Sequence, residues 1–77
     1  MATKFQQHKR KLGERLIVVR GDRSQRRFAR DLGVFQQNVN RYESGKTPHT
    51  DFLLTLALRE SISIDWLLLG EGRMHRR

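Results

Sequence analysis

The chain contains no cysteine among its 77 residues and has a single proline. Without cysteine it can have neither a disulfide framework nor a cysteine-based zinc site. Its three histidines, His8, His49 and His75, lie in separate segments without the spacing of metal ligands, so no metal site is expected. It also lacks a glycine-rich phosphate loop and a nucleophile placed beside a base. We therefore predict a protein that is not an enzyme and uses no cofactor.

Apolar residues are scarce, at 36% of the chain, and no apolar run approaches the length that spans a membrane. The first residues also lack the apolar core of a signal peptide, because Lys4, Lys9 and Arg10 interrupt them. We expect a cytoplasmic protein. Residues 1–77 should form one small domain, with flexible tails at 1–6 and 73–77.

Acidic residues are half as common as basic ones, eight against sixteen, which gives a formal net charge of +8. The imbalance is confined to residues 1–30, which hold ten Lys or Arg and two acids. Residues 31–77 hold six of each sign. Positive charge concentrated in one part of a chain predicts a polyanionic partner. The alternative is a surface whose charge serves solubility.

The most informative stretch is residues 24–45, SQRRFARDLGVFQQNVNRYESG, which has the pattern of two short helices. Ser24 is a residue type that caps helix N-termini. Gly33 can adopt the left-handed conformation that ends a helix, and a second helix is then predicted over about 35–43. The apolar positions are Phe28, Ala29 and Leu32 in the first helix, and Phe35, Val39 and Tyr42 in the second.

The outward face of this second helix is polar but carries no acid. With Val39 at the centre of the buried face, a step of 100° per residue turns Gln37 and Arg41 away from the core. Asn and Gln can bond adenine through two atoms in the major groove, and Arg can do the same to guanine. A merely solvated face would more usually carry Glu and Lys. The predicted base-reading residues are Gln36, Gln37, Asn38, Asn40 and Arg41.

Two helices that meet at a glycine turn, the second with a polar outer face, form a helix-turn-helix. Further motifs follow in order: Arg41-Tyr42-Glu43-Ser44-Gly45, Pro48, Leu53, Leu56-Ala57, Asp65-Trp66-Leu67-Leu68 and Gly70-Glu71-Gly72. With these motifs, the chain from roughly Leu12 to Gly72 closely resembles the Cro/CI-type helix-turn-helix family of phage and bacterial repressors, often called the XRE family.

The resemblance implies an all-α, compact five-helix, lambda-repressor-like domain with a central helix-turn-helix. It implies a transcriptional regulator, expected to be a repressor, that binds double-stranded operator DNA as a homodimer on an inverted repeat. Phosphate contacts are expected from Ser24, Gln25, Arg26, Ser44 and Lys46. Dimer contacts are expected from Leu68 or Leu69 in the last helix. Two alternatives are an antitoxin that binds a toxin protein, and a nonspecific DNA or RNA binder driven by charge.

Three positions depart from the family pattern. Arg23 stands where the family often has an apolar residue, and Glu60 and Ser61 stand where leucine and glycine are common. Glu43 has two interpretations: it is either solvated or paired with Arg20. The other helices are predicted over about Gln7–Arg20, from His49 or Thr50 onward, and over Ile64–Leu69.

Overall fold

A computed structural model describes residues 3–77, and within this range the chain forms five α-helices. They are α1 (Lys4–Arg20), α2 (Gln25–Leu32), α3 (Gln36–Glu43), α4 (Thr50–Arg59) and α5 (Ile64–Leu69). The predicted all-α, five-helix fold is confirmed. In the described part of the chain, no helix is both long enough and apolar enough to cross a membrane.

Helix α1 begins three residues earlier than predicted. Thr3 accepts a hydrogen bond from the Gln6 N–H at 3.1 Å, and its own N–H donates to Gln6 Oε1 at 2.8 Å. This reciprocal pair is a capping box, which satisfies two N–H groups that a helix start leaves without partners. The predicted tail at residues 1–6 is therefore helical from Lys4, while Met1 and Ala2 lie outside the described residues.

The core is made of one apolar face from each helix, together with Ile62 from the segment between α4 and α5. Helix α1 packs against α3 and α5, and α2 packs against α3 and α4. The buried apolar side chains are Leu12, Leu16, Val19, Phe28, Ala29, Leu32, Val39, Tyr42, Phe52, Leu56, Ile62 and Leu67. The helix-turn-helix thus rests on α1 and α4, which hold α3 at the surface with one side buried.

Gly13 is a buried glycine in the middle of α1. A Cβ atom at this position would lie 2.6 Å from the backbone oxygen of Glu43 and 3.1 Å from that of Tyr42. Glycine is unfavourable inside a helix, so its presence here has a packing reason. It allows the C-terminal turn of α3 to approach the backbone of α1.

The turn between α2 and α3 has the predicted conformation. Gly33 adopts φ 73° and ψ 31°, in the left-handed region. Its N–H bonds the Arg30 carbonyl at 3.1 Å, and the next N–H, of Val34, bonds the Ala29 carbonyl at 2.9 Å. These bonds satisfy carbonyls that the end of α2 leaves free. The chain can then start α3 after two residues.

Two of the departures from the family pattern contact each other. Arg23 Nη2 lies 2.8 Å from Glu60 Oε1, and Arg23 Nη1 lies 3.2 Å from Asp31 Oδ2. The guanidinium also lies over the Phe28 ring, 4.7 Å from its centroid. The hydrogen bond with Glu60 raises the pKa of Arg23, partly offset by burial of the guanidinium. An ion pair therefore joins the α1–α2 turn to the end of α4.

The third departure, Ser61, follows the end of α4 with φ 54°. This is the left-handed region, which glycine enters without steric cost and serine does not. The residues after α5 bond back to the segment before it: the Ser63 N–H donates to the Met74 carbonyl and the Arg76 N–H donates to the Ser61 carbonyl, both at 2.8 Å. The predicted tail at 73–77 thus includes a backbone-bonded segment, and its flexibility in solution stays a prediction.

Candidate nucleic-acid interface

Helix α3 is anchored by its apolar face. Val39 and Tyr42 are buried, and the Tyr42 ring meets the Phe52 ring edge-on at a centroid distance of 4.8 Å. Anchored in this way, α3 cannot rotate about its axis without breaking the core. Four polar side chains of the helix are exposed to solvent: Gln36, Gln37, Asn40 and Arg41.

These four exposed side chains line one concave surface, together with Gln25 from α2 and Phe35 from the turn before α3. We call it the reading surface and define it by these six residues. Four of the six side chains are amides and one is a guanidinium, so the surface offers both hydrogen-bond donors and acceptors. Groups of this kind match the edges of base pairs in the major groove.

Phe35 is not part of the buried face of α3, and the prediction that placed it there is wrong. It occupies the N-cap position, before the helix begins, and it is 80% exposed. An N-cap residue has extended rather than helical backbone angles, here φ −76° and ψ 139°. The helical periodicity that links Val39 and Tyr42 therefore does not extend back to Phe35.

Gln25 connects the two helices of the helix-turn-helix. Its Nε2 donates to Glu43 Oε1 at 2.8 Å, and its Oε1 accepts from Asn40 Nδ2 at 3.3 Å. The first bond fixes the orientation of the Gln25 amide, because a carboxylate can only accept. The second bond then favours one orientation of the Asn40 amide on the reading surface.

The proposed pairing of Glu43 with Arg20 is confirmed. Arg20 Nε lies 2.8 Å from Glu43 Oε2, and Arg20 Nη2 donates to Glu43 Oε1 at 3.3 Å. The Glu43 side chain is only 5% exposed, whereas that of Arg20 is 21% exposed. Through Glu43, helix α1 is thus bonded to the same Gln25 amide that contacts Asn40.

The predicted phosphate-contacting residues lie on α2 and around the end of α3. Ser24 caps α2 by accepting the Arg27 N–H at 3.0 Å, and Arg26 in the first turn is exposed. Ser44 donates its hydroxyl to the Asn40 carbonyl at 2.8 Å, and Lys46 follows with an exposed side chain. Gln25, the fifth member of the predicted set, instead lines the reading surface.

Lys9 and Arg10 on α1 line a shallow concavity with Ser44 and Gly45 at the end of α3. The basic half of the chain thus reaches the same end of the helix-turn-helix as Lys46. Sequence reasoning detected the charge of this segment but did not assign Lys9 or Arg10 to the interface. The extension of α1 to Lys4, which starts at the Thr3–Gln6 capping box, adds Gln6 to the same concavity.

The remaining predicted site residues are dispersed. Asn38 is half-buried and lines a different concavity, with His49 and Thr55, away from the reading surface. Leu68 is partly buried against the core, whereas Leu69 is 53% exposed. Across residues 3–77, no three His, Asp or Glu side chains are arranged so that they could hold a metal ion.

Comparison with known families agrees with this geometry. Residues 2–75 match the bacteriophage CI repressor helix-turn-helix domain. The match spans all five helices, and therefore the reading surface and the core that supports it. The chain thus belongs to the bacteriophage CI repressor helix-turn-helix family, and it is a DNA-binding domain of a transcriptional regulator.

Proposed function

We propose that the protein is a sequence-specific repressor that inserts α3 into the major groove of operator DNA. The observation that carries the proposal is the reading surface, an acid-free set of amides and one guanidinium on the exposed side of an anchored helix. The nearby carboxylate of Glu43 is paired with Arg20, so it does not repel phosphates. Repression would follow from occupying a promoter and excluding polymerase.

Direct readout is assigned to the exposed polar residues of α3. Arg41 would bond a guanine, and the amides of Gln36, Gln37 and Asn40 would bond adenines or accept from neighbouring bases. Asn38 is a weaker candidate for base contact, because it is half-buried and lines the separate concavity with His49 and Thr55.

Phosphate contacts are assigned to residues on either side of the reading surface. Arg26 and the N-terminus of α2, near Ser24, would hold one phosphate group, because a helix N-terminus favours anions. Ser44 and Lys46 would hold another, with Gln25 bridging the two regions. The net charge of +8 supports binding to a polyanion.

The proposal is tested by replacing Arg41 with alanine. We expect the variant to lose roughly 1–3 kcal/mol of binding free energy on the selected operator and to relax base preference at one position. The measurement is a titration of both operator and scrambled duplex, after selection of bound sequences from a random pool at fixed salt.

Lys46→Ala is the matched control for Arg41→Ala, because it removes the same charge from an exposed position in the adjacent loop. It should weaken operator and scrambled duplex alike, and it should reduce the log–log salt slope by about one. If Arg41→Ala behaves in the same way, Arg41 contacts phosphate and not a base.

We further propose that two copies bind the operator as a homodimer. A single module of this size buries roughly 600–1,000 Å² on DNA, which is low for a specific complex. A two-fold axis would double that area and would make the operator an inverted repeat. Leu69, exposed at the end of α5, is the more available of the two predicted dimer contacts.

The dimer predicts a dependence on half-site spacing. Half-site centres should lie about 10–10.5 base pairs apart, so that both reading helices meet the same face of the duplex. Inserting five base pairs between them should abolish most of the affinity, measured by titration of both duplexes at the same salt. Equal affinity for the spaced operator would mean that one copy reads one half-site alone.

Because the proposed partner is operator DNA, we place the protein in the cytoplasm, as the sequence predicts. An antitoxin that binds a toxin protein stays an alternative hypothesis, and none of the contacts described above favours it. A second protein that copurifies in fixed ratio with the chain would support that alternative.

A further inference from the structure

Phe35 is an exposed aromatic side chain in the middle of a polar surface. It is 80% exposed and lines the reading surface beside Gln36 and Gln37. A phenyl ring in water gains stability when it is covered, because burial of apolar area is favourable. No contact within the protein covers this ring to any large extent. We therefore expect the Phe35 ring to become buried when a partner binds the reading surface.

The position of Phe35 is also unfavourable for the helix that it precedes. Helices α1, α2 and α5 have Thr3, Ser24 and Ser63 at their N-caps, each accepting a backbone N–H. Phe35, the N-cap of α3, makes no such bond, and neither does His49 at the start of α4, but Phe35 is the apolar one of the two. An apolar N-cap is among the least favourable choices for stability. A phenylalanine here is thus poor for folding and poor for solubility.

We propose that Phe35 is a specificity-determining residue that contacts the 5-methyl group of a thymine in the operator, an inference that rests on the proposed major-groove function. The first residues of a recognition helix are those that approach base edges. Of the groups that base pairs present in the major groove, the thymine methyl is the apolar one. The phenyl ring has no hydrogen-bonding atom, so neither a phosphate nor a polar base edge would suit it.

The test is a scan in which each thymine of the selected operator is replaced by deoxyuridine, which lacks only the 5-methyl group. For the wild-type protein, one replacement should weaken binding by about fourfold, the value of one buried methyl. For Phe35→Ser, the thymine and uracil duplexes should bind with equal affinity at that position.

The Phe35→Ser variant distinguishes a role of Phe35 in base recognition from a role in folding. Serine restores a good N-cap, so the melting temperature should rise by about 4–8 °C while methyl sensitivity disappears. A residue with a purely structural role would change stability and binding in the same direction. Phe5→Ala is the matched control, since Phe5 is likewise 80% exposed but lies on α1, outside the reading surface. Its uracil scan should match that of the wild type.

Three results would overturn the inference. One is a Phe35→Ser protein that still loses affinity at the same thymine, and another is a wild-type protein that tolerates every uracil while selecting its operator. The third is a change of oligomeric state in Phe35→Ser without a change in methyl sensitivity, which would assign the ring to a protein contact. If the wild type selects no duplex over scrambled DNA, the proposed function fails together with the inference.

Discussion

Replacing Glu43 with alanine is expected to lower the free energy of unfolding by roughly 3 kcal/mol. The carboxylate is almost fully buried and bonds both Arg20 and Gln25, so its removal takes an acceptor from the Gln25 amide and leaves the Arg20 guanidinium with the Arg23 carbonyl. The estimate is at the low end for breaking a buried pair, because Arg20 retains contact with water. Thermal unfolding should show a melting temperature lower by roughly 12–24 °C.

The same substitution should also reduce discrimination between operator and scrambled duplex. Without Glu43, the Gln25 amide is no longer held in one orientation, and Asn40 loses its fixed partner. Ordering one such side chain on binding costs about 0.5–1.5 kcal/mol, so the specificity ratio should fall about 2- to 10-fold. Titration of the two duplexes, well below the melting temperature, measures this ratio.

Glu71→Ala is the matched control for Glu43→Ala. It changes the net charge by the same amount at an exposed position outside the helices. It should leave the melting temperature nearly unchanged, since surface substitutions rarely exceed 0.5 kcal/mol. A Glu43→Ala protein as stable as Glu71→Ala would mean that the pairing with Arg20 contributes nothing to the fold.

Gly13→Ala is expected to destabilise the domain, although alanine is the better helix former. At a helical position without close neighbours, replacing glycine with alanine would raise the free energy of unfolding by about 1 kcal/mol. Here the added Cβ would lie 2.6 Å from the Glu43 carbonyl oxygen, and backbone atoms cannot turn aside as a side chain can. We expect a net loss of roughly 1–3 kcal/mol in unfolding free energy, measured by urea denaturation.

The neighbouring Glu14→Ala substitution is the control for Gly13→Ala, because Glu14 is exposed on the same turn of α1. It should change the unfolding free energy by less than about 0.5 kcal/mol. Because the clash would push α3 away from α1, Gly13→Ala should also weaken operator binding. A stabilised Gly13→Ala protein would show that α1 and α3 are not held as closely as described.

The helix-turn-helix could be predicted from the sequence because its signals are local. The cap at Ser24 and the left-handed turn at Gly33 depend on residues within one or two turns of the chain. The four exposed polar residues of α3 also follow from the period of a helix whose buried face includes Val39. These features follow from backbone geometry within one or two turns of the chain and do not require a distant contact.

Other features of the interface depend on residues far apart in the sequence. From the sequence, Gly13 is an unfavourable residue inside a helix, and its role becomes clear only from the close approach of the Glu43 carbonyl in the fold. Gln25 has the pattern of a phosphate-contacting residue, and its two bonds depend on how closely α2 and α3 pack. Phe35 was misplaced for a different reason, because a shift of one residue in the helix start moves an N-cap out of the periodic pattern.

Arg23 and Glu60 are expected to vary together among related chains, because each is an ion-pair partner of the other. Their side chains are only about one-fifth exposed. Replacing one of them with the apolar residue common in the family would therefore remove the ion pair of the other at a partly buried position, which is costly. The order of the two changes matters. Arg23 also bonds Asp31 and the carbonyls of Val19 and Arg20, whereas the salt bridge of Glu60 is with Arg23. Arg23 without Glu60 would therefore keep most of its hydrogen bonds, whereas Glu60 without Arg23 would lose its ion pair, so the first single change is expected to cost less stability than the second.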